Sequence, residues 1–292
     1  MKKKFENNRL NEYRELIEKE LEQSLHFPET DCKAGEAMRY SALGGGKRIR
    51  GVLTLEFCRI LSGGGNMDTA EKALPAAAAV EMIHAFSLIH DDLPCMDDDD
   101  YRRGKPSCHK QFGEASALLA GDGLLAAAFN TVASAAFLPK PIKPQNVVSV
   151  ISSLSNATME MIKGQQYDMD FEQSDKDRVT EEELLAMYNR KTCALISAAC
   201  VCGAMCANAS ERNLHNARSY GFSLGLAFQI TDDLLDLKTE KTGKKTLPLL
   251  IGEKKAREMA QSYTDAAVKI AENLPHGDFL KELALSLISR QI

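Results

Sequence analysis

Six aspartates fall within ten residues: Asp91, Asp92, Asp97, Asp98, Asp99 and Asp100. Most charge runs are solvated faces. This one follows directly on Met82, Ile83, Phe86, Leu88 and Ile89, a helical apolar run that should be buried. Carboxylates there also oppose the partial negative charge of a helix C-terminus. Two carboxylates ~4 Å apart repel by about 1 kcal/mol in water and about 4 kcal/mol at a protein-like dielectric. A cation turns that cost into a gain. Oxygen donors without paired His or Cys favour a hard ion, Mg²⁺ before Zn²⁺. A second acidic group, Asp232, Asp233 and Asp236, follows Phe228-Gln229. On a helix Asp232 and Asp236 share a face, with Gln229 one turn earlier, while Ile230, Leu234 and Leu237 bury the other side. One Asp-Asp-x-x-Asp pattern is a weak signal. Two on apolar helices of one chain form a much stronger one.

Mg²⁺ takes one or two protein carboxylates and completes its shell with water and phosphate oxygens. Two facing acidic clusters therefore predict a diphosphate held between them through bridging ions. Gly44-Gly45-Gly46-Lys47-Arg48-Ile49-Arg50 joins a glycine turn to a cationic helix start suited to phosphate. Arg102-Arg103-Gly104-Lys105 follows the first acidic run. Either basic group alone reads as a surface patch; beside the acidic clusters, both read as ligand-binding.

The elements that must carry these residues are helical. The 292 residues are 44% hydrophobic and 26% charged, rich in Ala, Leu, Glu and Lys, with 9 Pro and no Trp. That is helix-forming chemistry, and alternating β-branched runs are missing. Helices are expected at about 11–25, 50–61, 73–90, 145–171, 180–208, 211–237, 253–273 and 277–290, with another ending at the Gly44–Gly46 turn. No long linker or internal repeat divides them, so a single all-α domain is expected. The stretch 115–138 is uncharged enough to pass for a membrane span, but Asp122 and its Ala content favour a buried central helix over a span. A net charge of −5 excludes general nucleic-acid binding. The eight Cys lack metal-ligand spacing and read as small buried hydrophobes in a reducing, cytoplasmic compartment. Lys2 to Lys4 are followed by polar residues rather than a signal peptide's apolar core.

Taken together, the motifs resemble those of the trans-isoprenyl diphosphate synthases nearly end to end. The likeness is carried by 44–50, by Glu81 to Pro94, by Arg102 to His109 and Phe112 to Ala115, by Gly164-Gln165 and Lys191-Thr192, and by Phe228-Gln229-x-x-Asp232-Asp233-x-x-Asp236. The resemblance implies a helical bundle around a central cavity, commonly a homodimer. It implies Asp91, Asp97 and Asp232 as direct Mg²⁺ ligands, with Asp92, Asp233 and Asp236 as neighbouring ligands or water anchors. Lys47, Arg50, His84 and Arg103 would hold isopentenyl diphosphate. Arg102, Lys191, Thr192, Gln229 and Lys244 would hold the allylic diphosphate, and Thr192, Lys191 and Gln229 would offer dipoles to an allylic cation. Spacing alone favours reading His84 as a satisfied core histidine.

Two departures from the family pattern stand out. The segment from Leu237 to Lys244 is shorter than usual, and Gly51 replaces a usual Pro with little expected consequence. Phe86 and Ser87 lie five and four residues before Asp91. An aromatic ring there resembles family members that stop at farnesyl diphosphate; geranylgeranyl diphosphate is the alternative product. Class I terpene cyclases and non-catalytic synthase subunits are the more distant readings. Lys47, Arg50 and Arg103 speak against the first, and two intact Asp motifs against the second.

Overall fold

Tyr13, Ile17 and Leu21 recur at helical spacing, and in the computed structural model all three are fully buried along α1 (Asn8–Ser24). The structure describes residues 8–26, 32–64, 67–138, 141–173, 179–237 and 245–288. Twelve further helices follow: α2 (Lys33–Ala42), α3 (Ile49–Leu61), α4 (Leu74–Asp91), α5 (Cys108–Phe112), α6 (Glu114–Ser134), α7 (Pro144–Gln173), α8 (Glu181–Tyr188), α9 (Ala194–Cys206), α10 (Glu211–Asp236), α11 (Leu247–Ile251), α12 (Glu253–Glu272) and α13 (Asp278–Ile288). Among the described residues the only sheet is an antiparallel pair, β1 (Tyr101–Arg102) with β2 (Lys105–Pro106). The all-α expectation holds.

Helix α4 is apolar on every side because it packs on every side. Pro75 sits in its first turn, where no intrahelical N–H is needed. Ala76 to Ala79 then keep the helix narrow while α1, α3 and α6 close on it. Its far end, Asp91, is thereby fixed by packing. Helix α9 is likewise enclosed by α3, α7 and α10, and α12 covers α10.

Two expectations are corrected. The 115–138 segment forms α6, but only one face is buried, through Ala117, Ala120, Leu124, Ala128 and Val132. Leu118 and Leu119 on the other face are 47% and 57% exposed. An alanine-rich helix is apolar in composition without being apolar enough to demand burial all round. The continuous helix expected over 180–208 is divided. A capping box between Thr180 and Glu183 starts α8, and a five-residue π-helical segment, Asn189–Cys193, precedes α9. The short elements β1, β2, α5 and α11 were not expected, because a few residues carry no periodicity.

The π segment lies against Gly164 of α7. A Cβ there would stand 2.3 Å from the backbone nitrogen of Lys191. Gly164→Ala must therefore push α7 off the segment, an overpacking cost of ~1–3 kcal/mol. The variant is expected to melt several degrees lower by circular dichroism; an unchanged melting temperature would show that the contact yields freely.

Candidate functional site: two cavities sharing a cationic wall

The chain folds Asp91 and its basic clusters around two adjoining cavities. The first, about 520 Å³, is lined by Arg50, His84, Phe86, Asp91, Lys191 and Thr192 among others. The second, about 440 Å³, is lined by Lys47, Arg50, Glu81, His84, Arg103 and Phe228 among others. Arg50 and His84 belong to both and form their common wall.

Asp91 ends α4 half-buried at the first cavity. Burial pushes its carboxyl pKa up to about 6; Lys191 draws it back, and Asp97 adds to the rise. The Asp97 N–H donates to the Asp91 carbonyl at 2.9 Å, which folds the acidic loop back beside the helix end. In the same cavity Gln165 Oε1 is buried with no hydrogen-bond partner among the described residues. A desolvated carboxylate, a neighbouring carboxylate and an orphaned carbonyl oxygen form an oxygen-only donor set short of positive charge. That set fits a hard divalent ion such as Mg²⁺.

Asp92 does not join them. Successive helical residues point about 100° apart, and Asp92 faces the β1–β2 hairpin instead. It is 2% exposed, and Arg102 Nε donates to its two oxygens at 2.9 and 3.2 Å. Arg102 also reaches Asp99 at 3.0 Å. The expected metal neighbour Asp92 and the expected substrate ligand Arg102 are thus spent on one another in this structure.

The second acidic cluster divides in a similar way. Thr192 Oγ1 donates to Gln229 Oε1 at 2.7 Å, and Gln229 Nε2 donates to Asp233 Oδ1 at 2.9 Å. The other Asp233 oxygen accepts from the Tyr188 hydroxyl, which itself accepts from the Leu247 N–H at 2.8 Å. Burial, then the Asp233 charge, pushes the Tyr188 hydroxyl far above its ordinary pKa, so it stays a donor. Asp233, expected beside the metal, is a buried member of this network. Asp232 is half-buried and Asp236 exposed. Burial lowers the Arg50 pKa, and Glu81 and, less strongly, Asp232 favour its charged form.

Lys191 donates to Asp168 of α7 and also lines the first cavity. Asp168 and Tyr188 were missed by sequence reasoning. Gln165 and Asp168 stand one turn apart on α7 and face the Lys191 segment, a spacing that could have drawn notice. Nothing local marks Tyr188.

The basic side is organised by pairing what the cavity does not need. Arg48 takes a left-handed backbone conformation (φ 52°) at the start of α3. It is locked to Glu18 at 2.7 Å, the Ala42 carbonyl at 2.6 Å and Glu81 at 3.6 Å. Gly51 has more consequence than expected: its N–H donates to Glu81 at 2.9 Å, which a proline could not do. Gly46, at φ 131°, lets the turn lie against the Arg103 guanidinium, which donates to the Gly45 carbonyl. Arg50 keeps a buried Nε with no hydrogen-bond partner among the described residues. Burial, followed by the field of Arg50 and Arg103, holds His84 well below its ordinary pKa, as a neutral imidazole.

At the apolar end, Phe86 lies edge-on to His90 with ring centres 4.9 Å apart. Ser87 Oγ donates to the His84 carbonyl at 3.0 Å. Lys244 falls outside the described residues.

A helical bundle with a paired, charge-lined cavity of this kind has the isoprenoid synthase fold, and the comparisons agree. A profile of the polyprenyl synthetase family matches residues 33–254. The chain is 42% identical over 261 residues to the heterodimeric geranylgeranyl pyrophosphate synthase large subunit 1 of Arabidopsis thaliana, covering 85% of this chain and 68% of that protein. It spans about two thirds of the length of the plant relatives it matches. Among solved structures it resembles an FPP/GFPP synthase from Zymomonas mobilis, with a TM-score of 0.86 and 33% identity over 96% of this chain and 98% of that one. A geranyltranstransferase from Thermotoga maritima gives a TM-score of 0.83 and 35% identity over 97% and 100%. The chain belongs to the polyprenyl synthetase family, the trans-isoprenyl diphosphate synthases.

The Asp91 carboxyl has a direct consequence for stability. Its folded pKa exceeds its ordinary value of 3.8, so its contribution is fully present below that value and is lost as pH rises through about 6. Asp91→Asn removes the desolvated charge. Without divalent ions at pH 7.5, the variant is expected to melt a few degrees above the unmodified protein, and to match it near pH 3.5. A lower melting temperature at pH 7.5 would contradict the assignment.

Proposed function

We propose that this protein is a Mg²⁺-dependent prenyl diphosphate synthase, joining isopentenyl diphosphate to an allylic diphosphate. The observation that carries the reading is the division of labour between the two cavities. One has Asp91 at its rim and an apolar lining that includes Phe86, Met161 and Met169. The other is rimmed by Lys47, Arg50 and Arg103. The first suits a diphosphate that arrives with metal ions and carries a hydrocarbon tail; the second suits a diphosphate held by cations alone.

In this reading Asp91, Asp97 and Asp232 would hold Mg²⁺, with Asp236 beside them. Bound Mg²⁺ supplies charge neutralisation for the departing diphosphate. Lys191 turns from Asp168 toward the allylic diphosphate as its C–O bond breaks. The hydrogen bond from Thr192 to Gln229 leaves hydroxyl lone pairs facing the allylic cation. Lys47, Arg50, Arg103 and neutral His84 hold isopentenyl diphosphate so that its double bond lies beside that cation. The new C–C bond forms, and the released diphosphate takes the proton that is lost. The apolar lining keeps out water, which would otherwise quench the cation.

Phe86 supports farnesyl diphosphate as the main product, since its ring lies in the tail cavity a little over one turn before Asp91. Geranylgeranyl diphosphate is the second reading, favoured by the names of plant relatives at 41–43% identity. The protein is incubated with Mg²⁺, labelled isopentenyl diphosphate and dimethylallyl diphosphate, and products are separated by length. Mainly fifteen-carbon product is expected, with longer product from Phe86→Ala and none in excess chelator. Twenty-carbon product from the unmodified protein would overturn the role of Phe86. A cyclic product formed without incorporation would overturn the synthase reading.

We further propose a homodimer through α6 and α7, whose Leu118, Leu119, Val148, Met159 and Ile162 are exposed. Light scattering is expected to give twice the chain mass, and Leu119→Asp to halve it. A monomeric unmodified protein would exclude this interface. All eight cysteines are unpaired, which supports a reducing, cytoplasmic setting.

A further inference from the structure

Outside both cavities, one imidazole nitrogen is buried with nothing to bond. His109, in α5, is 5% exposed, and its Nε2 has no hydrogen-bond partner among the described residues. Its Nδ1 lies 3.0 Å from Ser107 Oγ. The tautomer that donates Nδ1–H to Ser107 Oγ carries a bare lone pair on Nε2, the form a metal ion takes. Nε2 points at Asp98 Oδ1, 3.9 Å away, which is too far for a hydrogen bond. One ligand atom each from Asp98, Asp100 and His109 lies within 4.8 Å of the others.

We propose that Asp98, Asp100 and His109 form a binding site for a borderline divalent transition ion of the Zn²⁺ class, separate from the Mg²⁺ carboxylates. One imidazole with two carboxylates suits such an ion better than Mg²⁺, which takes oxygen donors. Tetrahedral bonds of ~2.0–2.1 Å set ligand atoms roughly 3.3 Å apart. Asp98 is exposed and can close that gap by side-chain rotation. None of the three residues lines either cavity. Ser107 supplies the outer contact that holds a metal-binding imidazole in one orientation.

A cation already stands in part of this space. Lys110 Nζ is 2.7 Å from Asp100 Oδ1 and 4.0 Å from Asp98 Oδ1. Its side chain is 43% exposed, and exposed ion pairs contribute little to stability. An incoming ion displaces it into water at small cost. The bound ion would tie α5 to the loop that presents Asp97 on one side and Arg102 on the other, so its role is to brace that loop.

The test uses Co²⁺, whose visible spectrum reports its ligands, titrated into the full chain without any diphosphate. The expected result is one tightly bound Co²⁺ per chain in the unmodified protein and in Asp91→Asn/Asp232→Asn. Binding is expected to weaken at least ~10-fold in both Asp98→Asn and His109→Gln. Asp98 is exposed, so its variant keeps the test valid should His109→Gln fold poorly. A Zn²⁺ anomalous-scattering peak between the three side chains would place the ion. The proposal is overturned if Co²⁺ does not bind, if Asp98→Asn binds it unchanged, or if Asp91→Asn/Asp232→Asn abolishes it.

Discussion

Charge stripped of water is the constraint around which this bundle is arranged. Asp91 at the end of α4 and Arg50 at the start of α3 both lose hydration at one cavity, and each lacks full compensation from the protein. In an interior of low dielectric, such groups are stable only where a ligand of opposite charge completes them. The helices that hold them therefore have to be stiff. Helix α4 is surrounded by α1, α3 and α6, and α9 by α3, α7 and α10, so the ends that carry charge cannot relax outward.

The surrounding charges show the complementary pattern. Arg48 is matched by Glu18 and Glu81, Arg102 by Asp92 and Asp99, and Lys191 by Asp168. These pairs keep the cations around the cavities satisfied. They differ in how easily they open. Arg48 is enclosed, whereas the Arg102 and Lys191 side chains keep 34% and 23% of their surface and can exchange a carboxylate for a phosphate. The same packing makes His84 a neutral wall residue, first by burial and then by the positive field of four arginines.

Backbone irregularity does the fine positioning. The π-helical turn at 189–193 brings Lys191 and Thr192 to the cavity between two regular helices, and Gly164 lets α7 approach it. A regular α-helix through the same residues would rotate those side chains. From Thr192 a chain of hydrogen bonds runs through Gln229, Asp233 and Tyr188 to the backbone of Leu247. It links the second acidic helix to the start of α11, on the far side of the 238–244 segment.

Much of this was legible in the amino-acid order. The fold class followed from helical periodicity, and Asp91, Lys47 and Arg50, with Gln229 one turn before Asp232, from charged groups set beside apolar runs, because such patterns are local; Thr192 came only through the family resemblance. What each charged side chain faces was not legible. Asp91 and Asp92 are adjacent and identical in type, yet one lines a cavity and the other is sealed against Arg102; only the packing around α4 separates them. Asp233 reads from the sequence as a neighbour of the metal, and its contact with Tyr188, far away in sequence, could not be read there. The one-sided burial of α6, the π turn at Lys191 and the orphaned nitrogen of His109 likewise depend on which neighbour the chain brings near. Residue type sets what a group can bind, and long-range contacts set what remains for it to bind.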